Sequence, residues 1–427
     1  MGTEKKNVIL VTIDSLRTDF LGAYDEKGQG LTPNLDSFAE EGVLFENAFA
    51  QGSYTRASIP SFFTSTYPWK LKDGGDISEE ETLATALKRA GYSTAFFHSN
   101  PFLSRALGYG RGFDVFDDSL VPWNLNLSQK RVRQLGRLFR LLRKTPYLPA
   151  DKLVNKAVRW LKEAEAPFFL WVHFMDPHGP YQPRGSGYLG KYRAEKLWNK
   201  AVNNPRDVSE AERDELINSY RDEVNLTDKH VGRLLTSVED REEDNLVFIT
   251  ADHGEEFGEH GEYSHNPKPF EELIHVPFLC RCPGVEGKRV KELVSLVDIF
   301  PSVLDSIGIS PGKYELDGRS FLNLLKSKEG VDRDFVISQS SGQQICLRTN
   351  RWKYILDGED RILYDLKNDP HESHDLSAER TEVREKLERK LAENSGNYGS
   401  SGDVSEILLA GEEDEETAKR LEDLGYL

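Results

Sequence analysis

Cysteine is scarce in this chain, whose 427 residues include only Cys280, Cys282 and Cys346. Three thiols build neither a disulfide framework nor a closed four-ligand zinc site. The Cys280-x-Cys282 pair, beside the apolar run VPFL, reads as core filling. Long hydrophobic runs are also missing. The longest, such as PFFLWV at 167–172, fall far short of the roughly 20 residues that span a bilayer, so no transmembrane segment is expected. Met1 to Lys6 is charged, and the seven mostly apolar residues before Asp14 are too few for a secretory core, which makes cytoplasmic the expected location. Positive charge is in deficit as well, with 55 Lys and Arg against 72 Asp and Glu and a net charge of −17. Phosphate backbones attract basic surfaces, so no nucleic-acid partner is expected. A small anionic substrate held by local cations is compatible with this balance.

What is present is an alternation of short apolar runs with amphipathic stretches. NVILVTI (7–13), VLFENAFA (43–50), YSTAFFHS (92–99), APFFLWVHF (166–174), NLVFITAD (245–252) and VPFLCR (276–281) read as strands. Between them, TPNLDSFAEEG opens at Thr32-Pro33 and closes at Gly42 as a helix should, ETLATALKRAGY repeats the glycine stop, and a long helical pattern runs from Ala211 to Thr236. Apolar strands alternating with helices predict an α/β fold: a mostly parallel central sheet covered by helices on both faces. After Pro311 the texture changes to short polar strands, ICLRTN, RWKYIL and RILYDL, then a helix from Thr381 to Glu393, predicting a small C-terminal antiparallel sheet with one helix. The expected units are 1–310 (large α/β unit, with a basic helical insertion at 119–160), 311–394 (α+β) and 395–427 (flexible linker and acidic tail helix). The basic island QKRVRQLGRLFRLLRK at 129–144 is expected to be a solvated insertion helix, weak contact with an anionic membrane surface being its alternative role. Oligomeric state is not legible.

Chemistry-bearing residues gather where apolar runs stop. NLVFITA ends at Asp252-His253-Gly254, and NVILVTI ends at Asp14. Ligands of α/β proteins bind outside the carboxyl ends of strands, and two acids with an imidazole can cup a divalent metal. A hydroxyl cluster, Tyr54, Thr55, Ser58 and Ser61, precedes an apolar helix start, where backbone N–H groups and the helix dipole favour an anion. His173, Asp176 and His178 lie around the end of a further strand.

Together these elements resemble the sulfatase branch of the alkaline phosphatase superfamily. The resemblance runs through NVILVTIDSLRTDFLGAY, TPNLDSFAEEGVLFENAFAQ, GSYTRASIPSFFTSTYP, DPHGPY, TADHGEEFGEHG and FEELIHVPF. It continues through DGRSFLNLL, LRTNRWKYI and LYDLKNDPHES, so nearly the whole chain is covered. It implies an alkaline-phosphatase-like sandwich and hydrolysis of a sulfate or related ester. By that resemblance Asp14, Asp252, His253 and Thr55 hold one divalent metal, Thr55 is the nucleophile, and His178 protonates the leaving group, with His265 as the alternative expected donor. Arg56, Asn100, His260 and Lys268 are the expected contacts to the substrate or its surroundings, His265 and Lys268 straddling the place where relatives carry an anion-binding lysine.

The departures from the family pattern alter the chemistry. Where typical sulfatases have Cys-x-Pro-x-Arg, with the cysteine converted to formylglycine, this chain has Thr55-Arg56-Ala57-Ser58-Ile59, so no formylglycine forms. Threonine offers one hydroxyl, and its covalent ester must be cleaved by water or another acceptor. Phosphodiesters, phosphonate esters and phosphoryl head-group transfer therefore rival sulfate esters. Ser15 replaces an acid, which moves the expected metal toward manganese or zinc, with calcium or magnesium as alternatives. Ser99 and Pro101 in HSNP replace the lysine and histidine of relatives. A catalytically silent anion-binding homologue is the alternative from another class.

Overall fold

A computed structural model describes residues 6–71, 75–118, 147–181, 187–241, 244–310, 314–326, 333–340 and 344–395. The basic island at 129–144 and the tail beyond Ser395 lie outside the described residues. Six strands run in chain order as β1 (Asn7–Ile13), β2 (Val43–Phe49), β3 (Ser93–Phe97), β4 (Val115–Asp117), β5 (Phe168–Phe174) and β6 (Asn245–Ala251). A short hairpin, β7 (Glu256–Phe257) and β8 (Tyr263–Ser264), precedes β9 (Phe278–Arg281) and β10 (Lys288–Ser295). Apart from the hairpin these form one eight-stranded sheet in the order β10-β2-β9-β6-β1-β5-β3-β4, with β9 antiparallel to both neighbours. The central β1 lies parallel between β5 and β6, and all seven of its residues are buried, which is why it reads as an unbroken apolar run.

Helices cover both faces, as the alternation of side chains along β5 shows. Phe168 meets Trp160 of the helix Ala150–Leu161 on one face. Trp171, on the other, stacks on Phe96 and packs against Phe62 and Phe63 of the helix Thr55–Thr64. The helix Pro33–Glu41 starts at a proline and is capped in trans: Asp228, from the helix Glu210–Glu239, accepts from the backbone N–H groups of Asn34 and Leu35. The long helix carries its own capping box, Ser209 with Glu212.

The C-terminal layer is an antiparallel meander of β11 (Phe335–Gln339), β12 (Gln344–Thr349), β13 (Trp352–Asp357) and β14 (Asp360–Asp365). Its strands alternate cleanly. Ile345, Leu347, Tyr354 and Leu363 pack on Leu387 and Leu391 of the helix Thr381–Ser395, while Cys346, Ile355 and Tyr364 pack on Phe49, Ile274 and Leu293 of the main body. β11 then reaches the segment after β2, where Gln339 N donates to Gln51 O at 2.7 Å. Among the described residues no helix is long and apolar enough to cross a membrane.

Candidate active site

Parallel register delivers the first two acids. Ile13 lies opposite Ala251, so Asp14 and Asp252 leave adjacent strands at the same edge of the sheet. One ligand atom each from Asp14, Asp252 and His253 lies within 4.8 Å of the others, and all three residues are fully buried. His253 Nδ1 donates to Gly254 O at 2.9 Å, which leaves the Nε2 lone pair facing Asp14 Oδ1 and Asp252 Oδ2, each 3.5 Å away. Thr55 Oγ1, at the first turn of its helix, is 3.4 Å from the same nitrogen. Asp252 Oδ1 accepts from His253 N, but its buried Oδ2 has no hydrogen-bond partner of good geometry.

Two carboxylates, an imidazole lone pair and a hydroxyl oxygen thus converge on one spot. Burial, and then the charge of Asp14, push Asp252 above the usual carboxylate range. Asp14 is buried too, yet His178, His173 and His253 hold it well below that range. Burial lowers His253. An ionised acid, a second acid that resists ionisation beside it and a neutral imidazole form a donor set that fits a divalent cation.

Local structure explains the placement. Ser15 has a left-handed backbone, φ 59°, uncommon for a residue other than glycine and costing on the order of 1–3 kcal/mol. Tyr220 holds that turn by donating to Ser15 O at 2.7 Å, and Ser15 Oγ donates to Asp14 Oδ1. Ahead of Thr55 only glycine fits at 52, since a Cβ there would come 2.3 Å from the Ala57 Cβ. Ser58, one turn further along, is fully buried.

His178 and His265 stand beside this trio, their ring centroids 5.0 Å apart, with His265 4.5 Å from the His253 ring. His178 Nδ1 donates to Gly179 O, and His265 Nδ1 is 3.2 Å from Glu255 Oε1. Burial, followed by the nearby His178, lowers His265 to about 3, and burial raises Glu255 to about 7. Asn100 meets Asp14 directly. Its Oδ1 accepts from Phe102 N, which orients Nδ2 to donate to Asp14 Oδ2 at 3.0 Å.

The other expected residues are engaged by partners of their own. Lys268 pairs with Glu262 at 2.9 Å, and His260 pairs with Glu272 at 2.8 Å while stacking on Phe270. Arg56 lies over the Phe102 ring, 5.5 Å from its centroid. Asp176 caps the helix Ala150–Leu161 by accepting from Ala150 N.

Several contributors were given no role by the sequence reading, which counted His173 only for its place near a strand end. His173 sits inside β5, on the same face as Thr12, and its Nε2 is 3.3 Å from Asp14 Oδ2. Trp171 Nε1 donates to Thr12 Oγ1, whose hydroxyl can then donate to His173 Nδ1 at 2.8 Å and so direct the Nε2 proton at Asp14. Tyr181 donates to Glu255, and Arg17 bridges Asp19, Glu259 and Glu255 O. The available signal was the matched register: Thr12 and His173 are paired polar residues inside two apolar strands.

The fold and this site define an α/β ester hydrolase. The sulfatase family profile matches residues 6–309, and that of the N-sulphoglucosamine sulphohydrolase C-terminal region matches 258–397. The chain belongs to the sulfatase family. It is 28% identical to human arylsulfatase K over 90% of this chain and 81% of that protein. It is 25% identical to the arylsulfatase of Clostridium perfringens over 87% of this chain and 90% of that protein. The phosphonate monoester hydrolase of Agrobacterium radiobacter has the same fold, with a TM-score of 0.74, 22% identity, and coverage of 92% of this chain and 96% of that one.

Proposed function

We infer that this protein is a metal-dependent hydrolase of monoanionic esters, with sulfate esters as the leading substrate class and phosphodiesters or phosphonate monoesters as the competing one. The observation that carries the reading is Thr55 Oγ1 at a helix N-terminus, 3.4 Å from His253 Nε2 and beside the Asp14–Asp252 pair. A divalent cation held by Asp14, Asp252, His253 and Thr55 would supply Lewis acidity, lowering the hydroxyl pKa and drawing charge from the ester oxygens. The imidazole in the donor set favours manganese or zinc over calcium or magnesium.

Thr55 Oγ1 attacks sulfur or phosphorus in line, its hydroxyl proton passing to solvent or to the neutral His265, the ester bond to the alcohol breaks, and the departing oxygen takes a proton from His178. For His178 that proton travels through Nε2, since Nδ1 is committed to Gly179 O. Charge counting favours a monoanion. Two carboxylates and a threonine alkoxide exceed one divalent cation by one charge, which the proton carried by the general acid just balances, and His265, lowered to about 3, adds no positive charge at neutral pH. Lys268 is engaged by Glu262. A dianionic phosphate monoester would add still more uncompensated charge in a buried site.

The test is metal analysis followed by turnover of p-nitrophenyl sulfate, p-nitrophenyl phosphate, a bis-aryl phosphodiester and an aryl phenylphosphonate. Turnover of the sulfate, diester or phosphonate well above the phosphate monoester is expected, and the reverse ranking would sink the charge argument. Thr55→Ala should lower turnover by at least about a thousandfold with the fold intact. Retained turnover would remove Thr55 as nucleophile.

A further inference from the structure

We propose that Lys353, on β13 of the C-terminal sheet, is a positioning residue for the metal site: its ammonium clamps the short helix Glu271–Ile274, which in turn holds both the His253 turn and the segment leading to Thr55. The proposal rests on the metal-site reading given above.

The helix Glu271–Ile274 is a junction. Its Leu273 carbonyl accepts from Gly254 N at 2.8 Å, and its Ile274 carbonyl accepts from Ala50 N at 2.9 Å. Gly254 O is the acceptor that fixes the His253 ring, and Ala50 leads through Gln51 and Gly52 to Thr55. The fit at Gly254 is tight, because a Cβ there would lie 1.9 Å from Glu272 O. Any shift of this turn therefore moves a metal ligand and the nucleophile loop together.

No side chain of the helix's own N-cap residue, Phe270, caps it. The cap comes from the C-terminal layer, where Glu372 Oε2 accepts from Glu271 N at 2.7 Å. Lys353, fully buried, closes the arrangement with Nζ 2.8 Å from Glu372 Oε1 and 3.1 Å from Glu271 Oε1. Burial alone would discharge the amine, but Glu372 and Glu271 hold it protonated, above the usual lysine range. Arg348 adds a contact at 3.3 Å to the other Glu271 oxygen.

This accounts for a second convergence of ligand-type atoms, His260, Glu272 and Glu372, which lie within 4.8 Å of one another. An ammonium already sits on Glu372, and His260 is committed to Glu272. The lysine is the resident cation of the cluster. A buried ionic network of this kind stabilises a fold little compared with apolar side chains of the same volume, but it can admit one register. That distinction separates a clamp from general packing.

The test measures Mn2+ affinity calorimetrically and amide exchange at Gly254 and Ala50, in the full chain, for Lys353→Met and Glu372→Gln. The glutamine keeps an oxygen for Glu271 N but loses the ionic pair, and provides a second route should the methionine variant fold poorly. Leu387→Ala, on the far face of the same sheet, is the control for general loosening. Expected are Mn2+ binding weaker by about tenfold or more, faster exchange at Gly254 and Ala50, and a fall in kcat exceeding any rise in KM, with near-normal Mn2+ affinity in the control. Wild-type affinity and exchange in Glu372→Gln, or equal weakening in Leu387→Ala, would overturn the clamp. If the unmodified protein binds no divalent cation, the metal reading fails, and the clamp stands or falls on the exchange result alone.

Discussion

Replacing Asp252 by asparagine should stabilise the metal-free protein and destabilise the metal-loaded one relative to the parent. Asparagine keeps the shape and the Oδ1 acceptor for His253 N, 3.0 Å away, but removes a buried negative charge beside Asp14. Ligand atoms of the two acids lie within 4.8 Å, which at an effective dielectric near 20 corresponds to about 3 kcal/mol of repulsion when both are ionised. Partial protonation of Asp252 relieves part of this, so a gain of roughly 1–3 kcal/mol, a few degrees in melting temperature, is expected in EDTA. Because Asp252 is raised by burial and by Asp14, the cost of ionising it appears as pH rises above the ordinary aspartate range. The variant's advantage in EDTA should therefore be absent near pH 4 and grow toward pH 8. With Mn2+ at about one hundred times its dissociation constant, the parent gains roughly 2.7 kcal/mol by mass action and the variant little, so the order of melting temperatures reverses. Differential scanning fluorimetry with and without Mn2+ reads this directly. A variant less stable than the parent in EDTA at pH 8, or equal stabilisation of both by Mn2+, would refute the reasoning.

The donors to Asp14 should matter for function as well as for folding. His173→Ala and Asn100→Ala each remove one contact to its Oδ2 and should lower Mn2+ affinity or kcat/KM by about 10–100-fold; unchanged values in both would show that Asp14 needs no orienting partners. Arg17→Met should cost roughly 3–5 kcal/mol by stranding Asp19 and Glu259. Burial tends to raise Glu259, but Arg17 holds it below the usual range, so its stabilising share is present above the ordinary glutamate pKa and disappears as pH falls through the lowered value. Urea unfolding should show the Arg17→Met penalty shrinking between pH 7 and pH 3, and a constant penalty would contradict this.

The parts of the site carried by strand ends were legible because the physics there is local. β1 and β6 are apolar along their length and stop at an acid, and parallel pairing then puts Asp14 beside Asp252. The C-terminal meander was legible for a similar reason, through the alternation of Ile345, Cys346 and Leu347 between two faces. β10, KRVKELVS, was not. It is an edge strand with a register shift and exposed charges, features that blunt pairing with other chains and also mask a strand pattern. His173 was noted near a strand end, but its setting in FFLWVHF gave it no role, and only the neighbouring strand's Thr12 reveals its partner. His260 was expected near the substrate from its place in GEHG, and Lys268 because it lies near the position where relatives carry an anion-binding lysine. The turns at Gly258 and Gly261, both at positive φ, belong to the β7–β8 hairpin, and the two side chains pair with Glu272 and Glu262. Lys353, in RWKYIL, reads as one more exposed lysine of a polar strand, and its partners are supplied only by the tertiary fold.

Threonine at position 55 moves the demanding step of the proposed reaction from forming the covalent ester to breaking it. A formylglycine hydrate sheds its sulfate through its second hydroxyl, whereas Thr55 must wait for an acceptor to attack sulfur or phosphorus from the side the alcohol has left. In-line geometry makes that the same side on which the leaving oxygen was protonated, so the imidazole that gave a proton in the first half can accept one in the second. In the proposed reaction His178, with Nδ1 committed to Gly179 O, is the imidazole for this exchange, while the neutral His265, backed by Glu255 and Tyr181, can accept a proton but not give one. Water and an alcohol compete for one position, and the shape of the pocket there decides between hydrolysis and group transfer. The ratio of released anion to transferred group, measured with added glycerol as a competing acceptor, therefore reports the consequence of Thr55 more directly than turnover on any one ester.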